Sequence, residues 1–186
     1  AMRDHRTNAR ATAGARRLAT DTLLLDQVER VTTLAPFAQL AWTPDARWTV
    51  DAGVRHDRTR FAVADRFVRD GRDDSGARTL AATTGHLGAS LRVGDALVPY
   101  ANVATAFETP TTTELQASPD GSVGGFNATL APQRTRSVEL GARGDAGALR
   151  WNVALFAARV DDAIVQWQEV GGRAFFRNAG RVDQRG

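Results

Sequence analysis

The sequence predicts an all-β protein, and within that class a partial transmembrane antiparallel β-barrel built as a meander. Apolar and polar residues alternate with a period of two from Leu34 onward, as they do in strands that have one lipid-facing side. The predicted strands are about 10–11 residues long, close to the ~9–11 residues that a tilted strand needs to cross a bilayer. The connections alternate between short and long, which is typical of short periplasmic turns and long extracellular loops.

Residues 1–33 are polar and irregular, and we expect them to form an extracellular loop that leads into the first strand. The alternative is a short helix over Thr20–Val31, because Asp21 could cap its start and apolar side chains recur on one of its faces. Residues 34–186 are predicted to be the barrel segment. The change from irregular to alternating sequence at Leu34 marks the boundary between the two parts.

The first two barrel strands are predicted on either side of the turn Pro44-Asp45-Ala46-Arg47. Proline presets φ in this turn, and the Asp45 carboxylate can accept hydrogen bonds from the backbone. One face of strand two is apolar: Trp48, Val50, Ala52 and Val54. The other face is polar or glycine: Thr49, Asp51, Gly53, Arg55 and Asp57. A soluble sheet can also alternate in this way, so the face pattern alone does not decide the class.

Strands three to six repeat this pattern in two further hairpins. They cover Thr83–Val93, Leu97–Ala106, Thr135–Arg143 and Leu149–Val160. The turns inside the hairpins are Gly94-Asp95-Ala96 and Asp145-Ala146-Gly147. Long loops are predicted at 61–81, 107–134 and 161–175. We expect Ile164–Val170 to continue strand six as a ribbon above the membrane, Gly171-Gly172 to form a hairpin turn, and Arg173–Val182 to begin strand seven.

Three of the four tryptophans lie beside the predicted short turns. Trp42 and Trp48 flank the first turn, and Trp151 follows the third. An aromatic girdle at a membrane interface would place tryptophans there. The alternative, a tryptophan packed in an ordinary core, explains each residue singly but not their shared position. The tryptophans therefore favour a membrane barrel.

Composition excludes several other classes of protein. All 24 basic residues are arginine, and with 21 acidic residues they leave a net charge of +3 without a dense basic cluster, so we expect no nucleic-acid partner. The absence of cysteine excludes disulfides and thiolate metal sites. No apolar run reaches the ~20 residues of a membrane helix. Ala1–Arg17 lacks the apolar segment of a signal peptide, so the chain is expected to start inside a longer protein.

The sequence offers little that could carry catalysis. Its three histidines are far apart in the chain. Ser90 follows His86 by four residues, roughly 13 Å along a strand, which is too far for a nucleophile and its base. The doublets Asp73-Asp74 and Asp161-Asp162 have no metal-ligand spacing. We therefore expect no enzyme, cofactor or metal site, and we expect His86 to be satisfied by a neighbouring Asp or Arg.

The polar faces of the strands supply the candidate site residues. We expect these polar side chains to face the barrel lumen: Asp51, Arg55, Arg92, Asn102, Glu139, Arg143 and Arg150. Such residues are tolerated in a membrane protein where water or protein, and not lipid, faces them. Opposite charges on neighbouring strands are expected to pair across the wall.

Three motifs occur late in the chain, in a fixed order. The first is Phe107-x-x-Pro110-x-x-x-Glu114-Leu115. The second is Asn127-x-x-Leu130-x-Pro132, followed by Thr135 and by Glu139-Leu140-Gly141. The third is Phe176-Arg177-Asn178-Ala179-Gly180. They resemble the F-x-x-P-x-x-x-E-L, N-P-x-L-x-P-E-x-S-x-x-x-E-L-G and Y-x-N-A-G motifs of TonB-dependent outer-membrane receptors, although Ala128 and Gln133 depart from the second motif.

The resemblance implies a bacterial outer-membrane receptor that imports a scarce nutrient, a ferric siderophore or similar iron complex, with energy supplied through TonB. It implies a 22-stranded barrel around a plug domain, of which this chain holds about seven strands. The lumen-facing candidates would contact the plug or line the permeation path. The implied partners are the outer-membrane lipid and lipopolysaccharide, the receptor's own plug domain, TonB and the nutrient ligand.

Two alternatives remain open at this point. A soluble secreted all-β binding module would bury the apolar face against a second sheet. Another barrel class, such as a porin or a barrel enzyme, would share the strand pattern but not the motifs. If the chain is a barrel segment, seven strands leave open edges whose backbone groups lipid cannot satisfy. The isolated chain is therefore expected neither to insert stably nor to transport.

Overall fold

The structure, a computed structural model, describes residues 2–13, 18–67, 73–115, 126–170 and 173–186. The described residues form strands almost throughout. The strands are β1 (Met2–Ala13), β2 (Leu18–Leu34), β3 (Phe37–Trp42), β4 (Trp48–Asp65), β5 (Gly76–Leu91), β6 (Val98–Glu108), β7 (Gln133–Ala146), β8 (Leu149–Asp161), β9 (Ile164–Val170), β10 (Arg173–Asn178) and β11 (Arg181–Arg185). One four-residue helix, α1, covers Thr112–Leu115. No helix among the described residues is long and apolar enough to cross a membrane.

The strands form one antiparallel meander with the order β1-β2-β4-β5-β6-β7-β8-β11, and β3 pairs with the first part of β4. A second sheet consists of β9 and β10 alone. β4 and β5 pair without a register shift from Trp48↔Leu91 to Val63↔Gly76. The predicted all-β antiparallel meander is therefore confirmed.

The register separates the sheet into an apolar and a polar face, because residues directly opposite each other share a face. One cross-strand row runs Val50, Ala89, Ala101, Leu140, Leu155. The larger side chains of this face are exposed, for example Leu140 at 57% and Leu155 at 69%. Trp42, Trp48 and Trp151 lie on the same face beside the short turns. These exposed apolar side chains are what a lipid-facing surface requires, and we call this face the outward face.

The short turns are built by local chemistry, as predicted. The Asp45 carboxylate accepts hydrogen bonds from the backbone N–H groups of Arg47 and Trp48 at 2.8 and 2.9 Å. These bonds, led by the one from Trp48, hold the pKa of Asp45 below its usual value. In the third turn Gly147 has φ +65°, a conformation that costs glycine nothing.

Residues 1–33 were expected to be a loop or a short helix, and both interpretations are wrong. Met2–Ala13 and Leu18–Leu34 are two antiparallel strands, and Gln27–Leu34 pairs with Arg58–Asp65 of β4. A strand beyond the membrane gains its backbone hydrogen bonds from its neighbour and needs no apolar face for lipid. Its sequence therefore need not alternate. The extracellular position of residues 1–33 stays a prediction.

Two further boundaries differ from the expectations. The loop at 61–81 is shorter than predicted, because β4 continues to Asp65 and β5 begins at Gly76. Arg173–Val182 is not one strand: Arg173–Asn178 pairs with β9, and strand seven is Arg181–Arg185, paired with β8. The Gly171-Gly172 turn lies outside the described residues. The long strands and the β9–β10 hairpin thus extend the structure beyond the membrane-spanning part.

The apolar core lies at the long-loop end, beyond the membrane-spanning part of the strands. There the polar face of β4 changes character, since Phe61 and Val63 follow Asp57 and Thr59 on the same side and are buried. Phe61 and Leu80 form one cluster with Leu115 and Leu130 of the folded loop. Burying this apolar surface fixes the loop on the inner side of the strands.

Gly144 allows β7 to pack against the neighbouring β5–β6 turn. A Cβ atom at Gly144 would overlap the carbonyl oxygen of Ala96, and Asp145 N–H donates to Asp95 O at 2.9 Å beside it. Gly144→Ala is therefore expected to destabilise the folded receptor by about 1–3 kcal/mol, measured by urea unfolding in lipid vesicles. Gly94→Ala is the control, because nothing lies within 4 Å of the Cβ it would add. Equal stability of the two variants would contradict the prediction.

Candidate functional site

The candidate site is the polar face of β4 to β8, opposite the outward face. One cross-strand row of this face runs Asp51, Gly88, Asn102, Glu139, Phe156. Arg143 lies opposite Val98 on one side and Asn152 on the other. The predicted residues Asp51, Arg55, Asn102, Glu139, Arg143 and Arg150 therefore share one face, as their spacing indicated. Arg92 lies just beyond β5, in the turn that follows it.

Tyr100 is at the centre of this face. Its ring lies over Gly141, where an added Cβ atom would overlap the phenol. The phenol lies beside the Glu139 carboxylate, and the Arg143 guanidinium lies 5.9 Å from the ring centroid. Together with Asp51, His86 and Asn102, Tyr100 and Arg143 line a shallow depression in the sheet. The sequence placed Tyr100 on the polar face, but only the register shows that it faces a glycine.

His86 and Asp51 pair across β4 and β5. His86 Nε2 lies 3.5 Å from Asp51 Oδ2, so the nearest charged neighbour of this histidine is an acid, as the sequence led us to expect. Glycines make room for both side chains. The His86 ring covers Gly53, and the Asp51 carboxylate covers Gly88 at 2.6 Å from where a Cβ would be. Alternate glycines on the polar face are thus the sequence signal for side chains that lie flat on the wall.

The predicted pairing of charges across the wall is correct for some residues only. Arg150 Nε donates to Asp145 Oδ1 at 2.8 Å across the β7–β8 hairpin. Arg55 instead binds Asp57 of its own strand through two hydrogen bonds of 2.8 Å, because residues two apart share a face. Arg92 approaches Asp95 of its own turn at 3.5 Å. The face is therefore a set of local pairs and not one continuous ladder.

The first motif forms the start of the long loop. Glu114 and Thr111 form a capping box at α1: Thr111 N–H donates to Glu114 Oε2 at 2.7 Å, and Glu114 N–H donates to Thr111 Oγ1 at 3.3 Å. Leu115 is fully buried and Pro110 is also buried. Phe107 lies at the end of β6, opposite Arg134. Pro110, Glu114 and Leu115 therefore fold the loop, and Phe107 lies on the outward face of the sheet.

The second and third motifs connect the loop to the β9–β10 hairpin. Asn178 Nδ2 donates to the carbonyl oxygens of Ala131 and Asp162 at 2.9 and 2.6 Å, and Asn178 Oδ1 accepts from Ala131 N–H at 2.8 Å. Asn127 Nδ2 donates to Phe176 O at 3.3 Å. We call these contacts the asparagine clasp.

The remaining positions of the second and third motifs support the clasp or lie in the wall. Leu130 and Pro132 are buried beside it. Gly180, with φ +57°, carries the chain from the hairpin towards β11. Of the motif positions, Thr135, Glu139 and Gly141 lie on the polar face of the wall. The motifs therefore describe mainly how the loop is fixed, and among the described residues no group of three or more His, Asp or Glu side chains could hold a metal ion.

Solved structures of outer-membrane receptors share this fold. The copper transporter OprC is 21% identical, with a TM-score of 0.72, and the match covers 99% of this chain and 30% of that one. The ferric-catecholate import receptor Fiu of E. coli K12 is 15% identical, with a TM-score of 0.67, over 99% and 30% of the two chains. The Serratia marcescens hemophore receptor HasR, in complex with HasA and heme, is 21% identical, with a TM-score of 0.65, over 86% and 31%.

The chain thus spans about 30% of the length of these structures, and at such low identity they show the fold. The family is shown by a separate match: the model described as "TonB dependent receptor-like, beta-barrel" covers residues 3–186. Its members are receptors and transporters and not enzymes, in agreement with the sequence. The chain therefore belongs to the TonB-dependent receptor family, and its strands are part of the outer-membrane β-barrel of that family.

Proposed function

We propose that the receptor to which this chain belongs imports a ferric siderophore or similar iron complex across the outer membrane. Family membership excludes the soluble secreted module and the other barrel classes considered above. Two of the compared structures are described with iron complexes, a ferric-catecholate import receptor and a hemophore receptor with heme, and one is described as a copper transporter. The wall supports the transport part of the proposal, because a polar face of hydrogen-bonding groups lies opposite an apolar face; the choice of an iron complex rests on the compared structures.

The polar face is proposed to contact the plug domain or to line the permeation path. Its groups offer both signs of charge and several hydrogen-bond donors at one level, around Tyr100 and Arg143. Asp51, Asn102 and Glu139 belong to the same row. Such groups are stable in a membrane wall when water or protein covers them. The seven lumen-facing candidates are thus proposed as a polar lining, with Tyr100 added to them.

The other proposed partners follow from the position of the wall in the membrane. The outward face would meet outer-membrane lipid and lipopolysaccharide. The plug domain and the contact with TonB would come from parts of the receptor outside this chain. The nutrient would first meet the folded loop and the β9–β10 hairpin at the long-loop end, where Trp167 and Arg177 are exposed and stack at 5.6 Å.

The substrate is tested with the full-length receptor in its own cells. A strain that lacks the receptor gene is compared with the wild type for uptake of a catecholate siderophore, a hydroxamate siderophore and heme, all labelled with radioactive iron, and of radioactive copper and cobalamin. We expect the strain without the receptor gene to lose most of its uptake of one iron complex. The full-length gene should restore that uptake. A strain without TonB is the control and should lose the same uptake. Loss of copper or cobalamin uptake alone would contradict the iron proposal.

A further inference from the structure

The outward face ends in arginines at the long-loop end of the strands. The row Leu87, Val103, Val138, Ala157 is apolar, and its larger side chains are exposed, Leu87 at 52% and Val103 at 49%. The next row towards the loops contains Thr105, Arg136 and Arg159. The outward face of β7 and β8 thus changes from apolar to basic over two residues along each strand.

Two of these arginines face each other directly. Arg136 lies opposite Arg159 in the β7–β8 ladder, with both side chains exposed. Residues directly opposite in such a ladder have Cβ atoms only ~4.5–5.5 Å apart, and like charges at that spacing destabilise the pair. Arg134 follows on the same face of β7, roughly 7 Å along the strand. Arg134 itself lies opposite Asp161, so the like-charged pair of this ladder is Arg136 and Arg159.

Acidic neighbours neutralise only part of this charge. Arg159 Nε donates to Asp183 at 2.8 Å, and Arg181 Nε lies 3.3 Å from Asp161. Arg134 and Arg136 form no ion pair with any residue that the structure describes. Arg58, further along the outward face on β4, is exposed and is likewise without an ion pair within the described ranges. The patch formed by Arg134, Arg136, Arg159 and Arg181 thus keeps an excess of positive charge.

We propose that Arg134 and Arg136, supported by Arg159, bind a phosphate group of the outer-leaflet lipid, that is, of lipopolysaccharide. The patch faces away from the lumen, so an imported ligand would not meet it. It begins one row beyond the lipid-facing side chains, which is the level of lipid headgroups. The guanidinium fork fits phosphate oxygens with two parallel hydrogen bonds, and two arginines on one face of β7 can reach the same phosphate.

This inference deepens the proposed contact with lipopolysaccharide and is independent of the nutrient, because retention of lipid and uptake of iron are measured separately. The test uses the full-length receptor in phosphatidylcholine nanodiscs that contain bisphosphorylated lipid A. Native mass spectrometry counts the lipid A molecules that stay bound. Arg134→Gln/Arg136→Gln is compared with the wild type and with Arg47→Gln, which removes an exposed arginine from the short turn between β3 and β4 instead.

We expect the double variant to retain lipid A on the order of 5-fold less per arginine removed, and Arg47→Gln to behave as wild type. Lipid A stripped of its phosphates should bind equally weakly to all three proteins. Both substituted residues are exposed, so the variants should keep the heat-modifiable mobility of a folded barrel. Equal retention by the double variant and the wild type would overturn the proposal. So would displacement of lipid A by millimolar inorganic phosphate, which would indicate a site for free anions, or a change from oligomer to monomer, which would indicate a protein partner.

Discussion

Replacing Leu140 by arginine is expected to make the receptor unfold at a clearly lower urea concentration in lipid vesicles. Leu140 lies in the middle of the outward face of β7, directly opposite Ala101 and Leu155, and is 57% exposed. Its surroundings there are lipid. An arginine on the lipid face of a barrel costs about 2–4 kcal/mol near the bilayer midplane. Folded proteins are typically stable by only about 5–15 kcal/mol, so this loss should lower the folded fraction at moderate urea concentrations.

The matched control places an arginine on the opposite face of the same strand. Ser137 lies on the polar face between Ala104 and Ala158, whose small side chains leave room for a longer one. Ser137→Arg should therefore fold almost as well as the wild type. Folding of both full-length variants into lipid vesicles is followed by heat-modifiable gel mobility during a urea titration. Equal losses in the two variants would mean that the assignment of faces is wrong.

The assignment of faces could be predicted from the sequence because the side-chain period of a strand is two. Asp51, Asn102 and Glu139 are separated by loops and turns, yet each falls on the polar phase of its own strand, and the ladder places them in one row. The short turns were predictable for a similar reason. Asp45 and Gly147 act within two or three residues, so their effect can be seen in the local sequence.

The parts that the sequence did not predict depend on contacts beyond the membrane. Residues 1–33 form strands only because β4 extends to Asp65 and offers a pairing edge, which no local pattern indicates. On β4 the inner face changes from Asp57 and Thr59 to Phe61 and Val63. Apolar residues therefore mark the outward face along most of the strand but a buried inner core at its long-loop end. The partners of Arg55 and Arg92 differ for another reason: pairing across strands was expected, but each arginine binds an acid two or three residues away in its own segment.

The motifs of the loop were recognisable, but their physical role was not. Asn178 and Ala131 are 47 residues apart in the sequence, and only the folded loop brings them together. Nothing in the spacing of Asn127 or Asn178 shows that their amides bind backbone groups of another segment. These positions preserve the geometry of the loop, and the polar face of the sheet is formed by other residues.

Replacing Asn178 by leucine is expected to release the loop while the barrel stays folded. The Asn178 side chain makes three hydrogen bonds, two with Ala131 and one with Asp162. Leucine has a similar size but cannot form them, and it leaves the Ala131 N–H and C=O without their partner. Each lost bond costs about 0.5–1.5 kcal/mol, and more where the remaining group stays buried. The clasp as a whole should therefore weaken by about 2–4 kcal/mol.

The effect should be local because the clasp lies at the long-loop end and the membrane-spanning ladder is untouched. If the closed loop is destabilised by about 3 kcal/mol, hydrogen exchange of the Ala131 amide should accelerate on the order of 100-fold in the full-length receptor. Amides of the β7–β8 ladder should keep their rates. Asn152→Leu is the control, since Asn152 is exposed on the polar face and forms no part of the clasp. If Ala131 kept its exchange rate in Asn178→Leu, the buried cluster of Phe61, Leu115 and Leu130 would alone hold the loop.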